Sequence, residues 1–244
     1  MTGAAERVRV VVRKEFREYR RKRSILGTTI LLPLVFLGVP IGELLSLSSS
    51  TPPAAVRALA HSAALMMLLV PIIVPATISA YAVVGEREQG TLEPVLTTPV
   101  TERELIIGKA VAAILPAVVL SYFIGAAFGL AVRWNGNPAV VSVVWNPPQV
   151  VAQILFAPLL AAWSTWVGMA ISARSSDVRV AQQLSSLGSL PMLALTSLFS
   201  FGVLVPTVPL AIAFAVALFV IDSFAWRVVA MMFDRERLIS RYDG

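Results

Sequence analysis

Six apolar runs, each long enough to cross a bilayer as helix, leave this chain few architectures. They cover residues 25–47, 62–84, 105–132, 150–172, 181–203 and 210–232. A helix rises about 1.5 Å per residue, so about twenty residues match a hydrocarbon core about 30 Å thick. Nothing in that core can satisfy a bare backbone, so a spanning segment must pair its own N–H and C=O groups, as a helix does. Composition agrees: 57% of the 244 residues are hydrophobic and 14% charged, where soluble domains run nearer half and a quarter. The expectation is an all-α integral membrane protein with six transmembrane helices in residues 25–232, a leading segment at 1–24 and a tail at 233–244.

Charge orients the spans. Residues 1–24 hold nine basic and three acidic residues, which accounts for the whole net charge of +6. A basic segment at the mouth of a membrane helix fits attraction to anionic lipid better than nucleic-acid binding. With the N-terminus inside, the cytoplasmic face carries those nine with Arg87, Arg103, Lys109, Arg174, Arg179, Arg227, Arg235, Arg237 and Arg241, and the outer face only Arg57 and Arg133. That asymmetry predicts a multi-pass protein of the cell membrane with both termini cytoplasmic.

Within the leading segment, Val8, Val12, Phe16 and Tyr19 recur at helical spacing with Val11 beside them and basic residues on the other faces. This pattern predicts an amphipathic helix lying in the interface. The apolar run after it is too long for a signal-peptide core, so it reads as a retained first span, bent at Pro33 and Pro40. Residues 48–61 and 133–149 read as outer loops, the second bounded by Trp134 and Trp145, which suit a membrane–water interface.

The polar island at 86–104 is patterned like folded structure. Gly90 suits a helix stop in the left-handed conformation. Thr91 can cap the next helix and Glu93 lies in its positively polarised first turn, while Leu92, Val95 and Leu96 give it an apolar face. Pro99 ends it. Thr101 and Glu104 then form a T-x-x-E capping box that starts the third span.

Glu88-x-Gly90-Thr91-Leu92-Glu93-x-x-Leu96-x-x-Pro99-Val100, followed by Gly108-Lys109, resembles the signature of ABC-2 type transporter permeases. Pro94 departs from that pattern, which usually has a polar residue there. The basic leading segment and the M-M-F-D-R-E-R-L-I tail resemble the same family. The resemblance implies a permease subunit of an ABC transporter, moving substrate outward. It implies a cytoplasmic coupling helix between spans 2 and 3, in which Glu88, Gly90, Thr91, Leu92, Glu93, Leu96 and Pro99 engage a separate ATP-binding subunit. ATP and Mg would sit on that partner, beside a second permease copy or a close relative. The competing readings are an ATP-independent channel or secondary transporter, and a membrane anchor that recruits a soluble partner.

No enzyme chemistry is visible in this chain. Cysteine is absent and His61 is the single histidine, which excludes thiol catalysis and multi-histidine metal sites. No phosphate-binding G-x-x-x-x-G-K-[ST] occurs. Gln182, Ser186, Ser189, Thr196 and Ser200 share one face of the fifth span. They either line a path for an amphipathic or lipid-like substrate or form a packing face of small residues. Asp222 in the last run is either a functional intramembrane carboxylate or, if that span starts near Val203, an interfacial one beside Trp226 and Arg227.

Overall fold

A computed structural model describes residues 3–47, 51–90, 100–135, 137–200 and 207–232. Among them nine helices follow in order: α1 (Ala4–Arg21), α2 (Arg23–Leu45), α3 (Pro53–Ala80), α4 (Val84–Glu88), α5 (Glu102–Asn135), α6 (Pro138–Val144), α7 (Pro147–Ser172), α8 (Val178–Ser200) and α9 (Val208–Met232). The described residues contain no strand.

The bundle is built around α3. It packs against α2, α5, α7 and α8, while α9 lies outside on α7 and α1 lies along α5. Accordingly α3 is the most enclosed of the apolar helices, and α2 and α9 are the least. Lipid tails are as apolar as leucine, so close packing and interhelical hydrogen bonds must hold such helices together. Small residues permit the approach. A Cβ on Gly168 of α7 would stand 1.8 Å from Ser79 Oγ of α3, and one on Gly188 of α8 would stand 2.6 Å from Val167 Cγ1. Around these contacts Leu68 and Ile72 meet Phe156 and Leu160, and Val70 and Val74 share a second cluster with Ala113, Ala117 and Ile124.

Among the described residues five helical stretches are long and apolar enough to cross a membrane: Ile25–Leu45, Pro53–Glu88 (α3 with α4), Glu102–Asn135, Pro147–Ser172 and Val208–Met232. The expected fifth span corresponds to α8, which has 23 residues but is not among those five. Its polar stripe is the reason, since two glutamines, four serines and a threonine stand between Gln182 and Ser197.

Two expected loops are partly helical. The second span starts at Pro53 rather than near residue 62, and 138–144 in the loop after α5 forms α6. In both cases a proline opens the helix, where its missing N–H has no acceptor to lose. Helix α2 continues through Pro33 and Pro40.

The bundle has two unlike ends. At one lie α1, α4, the start of α5 and the α7–α8 link, tied by ion pairs and polar bonds. At the other lie the end of α5, α6 and the start of α7, with Trp145 Nε1 donating to the Gly129 carbonyl at 3.2 Å.

Candidate functional site

The polar end is assembled from segments far apart in the chain. Helix α3 stops at Ala80, and α4 begins at Val84. The break leaves the amides of Val83 and Val84 without helical acceptors. Ser172, wholly buried at the end of α7, supplies one: its Oγ accepts from Val83 N at 3.0 Å and Val84 N at 3.1 Å, and donates to the Ala80 carbonyl at 2.7 Å. One hydroxyl thus holds both sides of the break.

From α4, three consecutive side chains reach three places. Glu86 meets Lys109 of α5 at 2.8 Å and also pairs with Lys14 of α1. Arg87 donates to the Ser175 carbonyl in the α7–α8 link at 3.1 Å. Glu88 accepts from the Val178 amide at 3.2 Å, at the N-terminus of α8, where the helix dipole favours a carboxylate. Gly90 follows with φ 64°, in the left-handed region expected of it.

Helix α1 is clamped onto the same assembly. A Cβ on Gly108 would stand 2.5 Å from Val11 Cγ1, so glycine is what lets α1 lie against α5. Beside that contact Lys109 pairs with Glu15 at 2.9 Å. Lys109, Glu15 and Glu86 are each no more than 5% exposed. Lys14 completes the cluster with Glu18 at 3.0 Å. Glu15, Glu18 and Glu86 converge closely enough to resemble a metal-ligand set, but two ammonium groups already sit among them.

Burial opposes ionisation of Glu15, and the Lys109 and Lys14 ammonium groups more than offset it, so its carboxyl lies below the ordinary 4.5. Burial likewise opposes the charge on Lys14, and Glu15 and Glu86 overcome it, raising that ammonium above 10.5. Tyr19 is held well above 10.0 by burial and by Glu15.

The start of α5 joins the clamp. Thr101 N donates to Glu104 Oε2 at 3.0 Å and Glu104 N donates to Thr101 Oγ1 at 3.4 Å, which is the capping box read from the sequence. The same carboxylate takes a forked contact from Arg7 at 2.9 and 2.6 Å. The amphipathic helix expected at the interface thus also packs on α5, with Val11 buried against Gly108. Arg9, Arg13, Arg17, Arg20 and Arg21 are exposed.

Of the island residues singled out, Glu88 and Gly90 stand in this assembly. Thr91, Leu92, Glu93, Leu96 and Pro99 lie outside the described residues. On α8, Ser189 and Thr196 are fully buried. Ser189 Oγ donates to Ser164 Oγ of α7 at 3.2 Å, and Ser164 Oγ donates to the Ile72 carbonyl of α3 at 2.6 Å. Thr196 Oγ1 bonds back to the Met192 carbonyl at 2.9 Å. Gln182 and Ser186 are half-buried, and Ser200 ends the helix. The Ser189–Ser164 chain joins three helices, whereas the Thr196 hydroxyl is satisfied within its own helix. Asp222 lies inside α9, ten residues before its end. It is 7% exposed and neither carboxylate oxygen has a partner among the described residues. Trp226, one turn on, stacks edge-on against Trp166 of α7 with ring centroids 5.3 Å apart.

Arg7, Lys14, Glu15 and Ser172 were not legible as parts of a site. Their partners are 72 to 97 positions away, and no local period marks them. Gly108-Lys109 did carry a signal: a glycine beside a lysine near the start of an apolar run.

Comparison with known proteins places this geometry. The probable ABC transporter permease protein NosY of Stutzerimonas stutzeri is 33% identical over 132 residues, 52% of this chain and 46% of that relative. The aligned stretch thus spans less than half of the relative's length. The model of the ABC-2 family transporter protein matches residues 9–236. That range takes in α1 from its second turn, the island and every apolar helix, so the chain belongs to the ABC-2 family of transporter proteins.

Proposed function

We propose that this chain is the membrane-spanning permease subunit of an ABC transporter and that the island 86–104 receives a separate ATP-binding subunit. The observation that supports this reading is the fan of contacts before Gly90. Glu86, Arg87 and Glu88 hold α1 with α5, the α7–α8 link and α8 respectively. A push on the island therefore reaches several spans through short polar bonds. The capping box and Arg7 fix its far side in the same way. The polar end faces the cytoplasm in this reading, following the basic asymmetry. ATP and Mg belong to the partner, this chain performs no hydrolysis, and transport runs outward, as the family resemblance implies. The apolar flanks of α2 and α9 face lipid and a second permease copy or close relative.

The test is co-purification of the chain with a P-loop ATPase subunit, followed by ATP-driven transport. Leu92→Ala and Leu96→Ala should each weaken capture of the ATPase by about 2 kcal/mol, as expected for buried anchors, and Glu93→Ala by less. Wild-type capture and transport in both leucine variants would overturn the reading.

A further inference from the structure

At the end of the bundle opposite the ion pairs, a cavity of about 300 Å³ opens between α3, α5, α6 and α7. Its walls are mostly apolar; His61 stands on them, and no lysine, arginine or carboxylate among the described residues does. Two polar groups on the wall are buried without partners: Ser121 Oγ of α5 and Gln153 Nε2 of α7. Ser121 is 0% exposed. Buried hydroxyls and amides in proteins nearly always have a partner, because leaving one bare is costly. Both residues line the same space. The amide donates, and the hydroxyl can donate and accept.

The rim shows where a ligand would come from. Trp145, bonded to the Gly129 carbonyl, lines the side toward the end of the bundle. The Tyr122 hydroxyl donates to the Ile154 carbonyl at 2.7 Å and so bridges α5 to α7. Tyr122 and Ile154 are exposed, as are Val119 and Phe123 beside them. In a membrane this flank meets lipid. The cavity volume falls at the lower end of small-molecule sites, about 300–1,000 Å³, which are typically apolar with a few placed polar groups.

We propose that this cavity binds an uncharged amphiphile that enters from the lipid side between α5 and α7. Its hydrocarbon body lies along the apolar wall. Its oxygen-bearing head, a hydroxyl, carbonyl or ester, accepts from Gln153 Nε2 and pairs with Ser121 Oγ. Among the described residues no lysine or arginine on this wall offers an anionic head a permanent counter-charge, and no carboxylate offers one to a cationic head. The proposal is independent of the coupling role assigned to the island.

Gly125 makes the test clean. It lines the cavity, and a Cβ there meets nothing within 4 Å, so Gly125→Leu fills the space and also favours helix. Gly38 of α2 is equally open but lies away from the cavity, so Gly38→Leu controls for added bulk. The purified chain is photolabelled with dodecanol carrying a mid-chain diazirine, and in parallel with the matching dodecanoate and dodecane. Adducts are mapped by mass spectrometry. Dodecanol should label peptides spanning 121–126 and 149–154, with excess unlabelled dodecanol competing. Gly125→Leu should abolish this labelling, and Gly38→Leu should not. Ser121→Ala with Gln153→Leu should cut dodecanol labelling about tenfold, a loss equivalent to about 1.4 kcal/mol, and leave dodecane labelling unchanged. Should Gly125→Leu fail to fold, Ala64→Leu blocks the cavity from the α3 wall. Labelling that survives the block overturns the proposal. So does equal labelling by dodecanoate, which would mean that head charge is not discriminated, or a double variant without effect, which would mean that Ser121 and Gln153 do not hold the head.

Discussion

At the scale of single residues, sequence distance decided what could be read. The left-handed Gly90 and the Thr101–Glu104 box were legible because both are local, three residues or fewer across. The Lys109–Glu15 pair was not, because 94 positions separate its members. That pair supports a firm prediction. Lys109→Ala leaves Glu15 and Glu86 buried with less compensating charge, and breaking a buried pair in this way costs about 3–5 kcal/mol. Protease cleavage within α1 should become faster, and Glu15→Gln added to the same variant should restore part of the protection. Acid should do something similar. Glu15 is depressed below its ordinary 4.5, so its contribution is full above that value and is lost as pH falls through the lower folded one. The protection of α1 amides, measured relative to their intrinsic exchange rate at each pH, should fall in that acid window and stay constant from pH 5 to pH 8.

At the scale of elements, hydropathy predicted helices but not how they begin and end. The prolines at 52 and 53 read as loop and instead open α3, and Pro138 opens α6. The end of α3 depends on Ser172, a residue 92 positions away. Ser172→Ala removes the acceptor for two buried amides and should cost about 1–3 kcal/mol for each. Thermal unfolding in detergent reads that loss, and Ser175→Ala, in the half-buried link, should show much less. Gly90→Val tests the other end of α4. A β-branched residue at φ 64° is strained by roughly 1–3 kcal/mol. The expected result is impaired capture of the ATPase subunit with membrane insertion intact, compared with Gln89→Val as a control without the backbone demand.

At the scale of the molecule, the order and rough length of the apolar helices were legible from apolar runs, and α8 shows the limit of that signal. It is long enough to span, yet its hydroxyls at Ser185, Ser186 and Ser197 bond back to carbonyls of the same helix and Ser189 reaches Ser164, and hydropathy cannot see a hydroxyl that is already satisfied. Orientation rests on charge and is testable in a chain without cysteine. Trp134→Cys should react with an impermeant thiol reagent from outside intact cells, and Gln89→Cys should react only after permeabilisation; the reverse pattern would invert the topology. The clamp on α1 also sets an order of assembly. Glu15 leaves the ribosome well before Lys109, and 94 residues take roughly 5–20 s at about 5–20 residues per second. Until the third span begins to emerge, α1 has neither its glycine seat nor its lysine. It must wait on the bilayer surface with its exposed arginines among the lipid headgroups, and the newborn protein locks its first helix only once its middle exists.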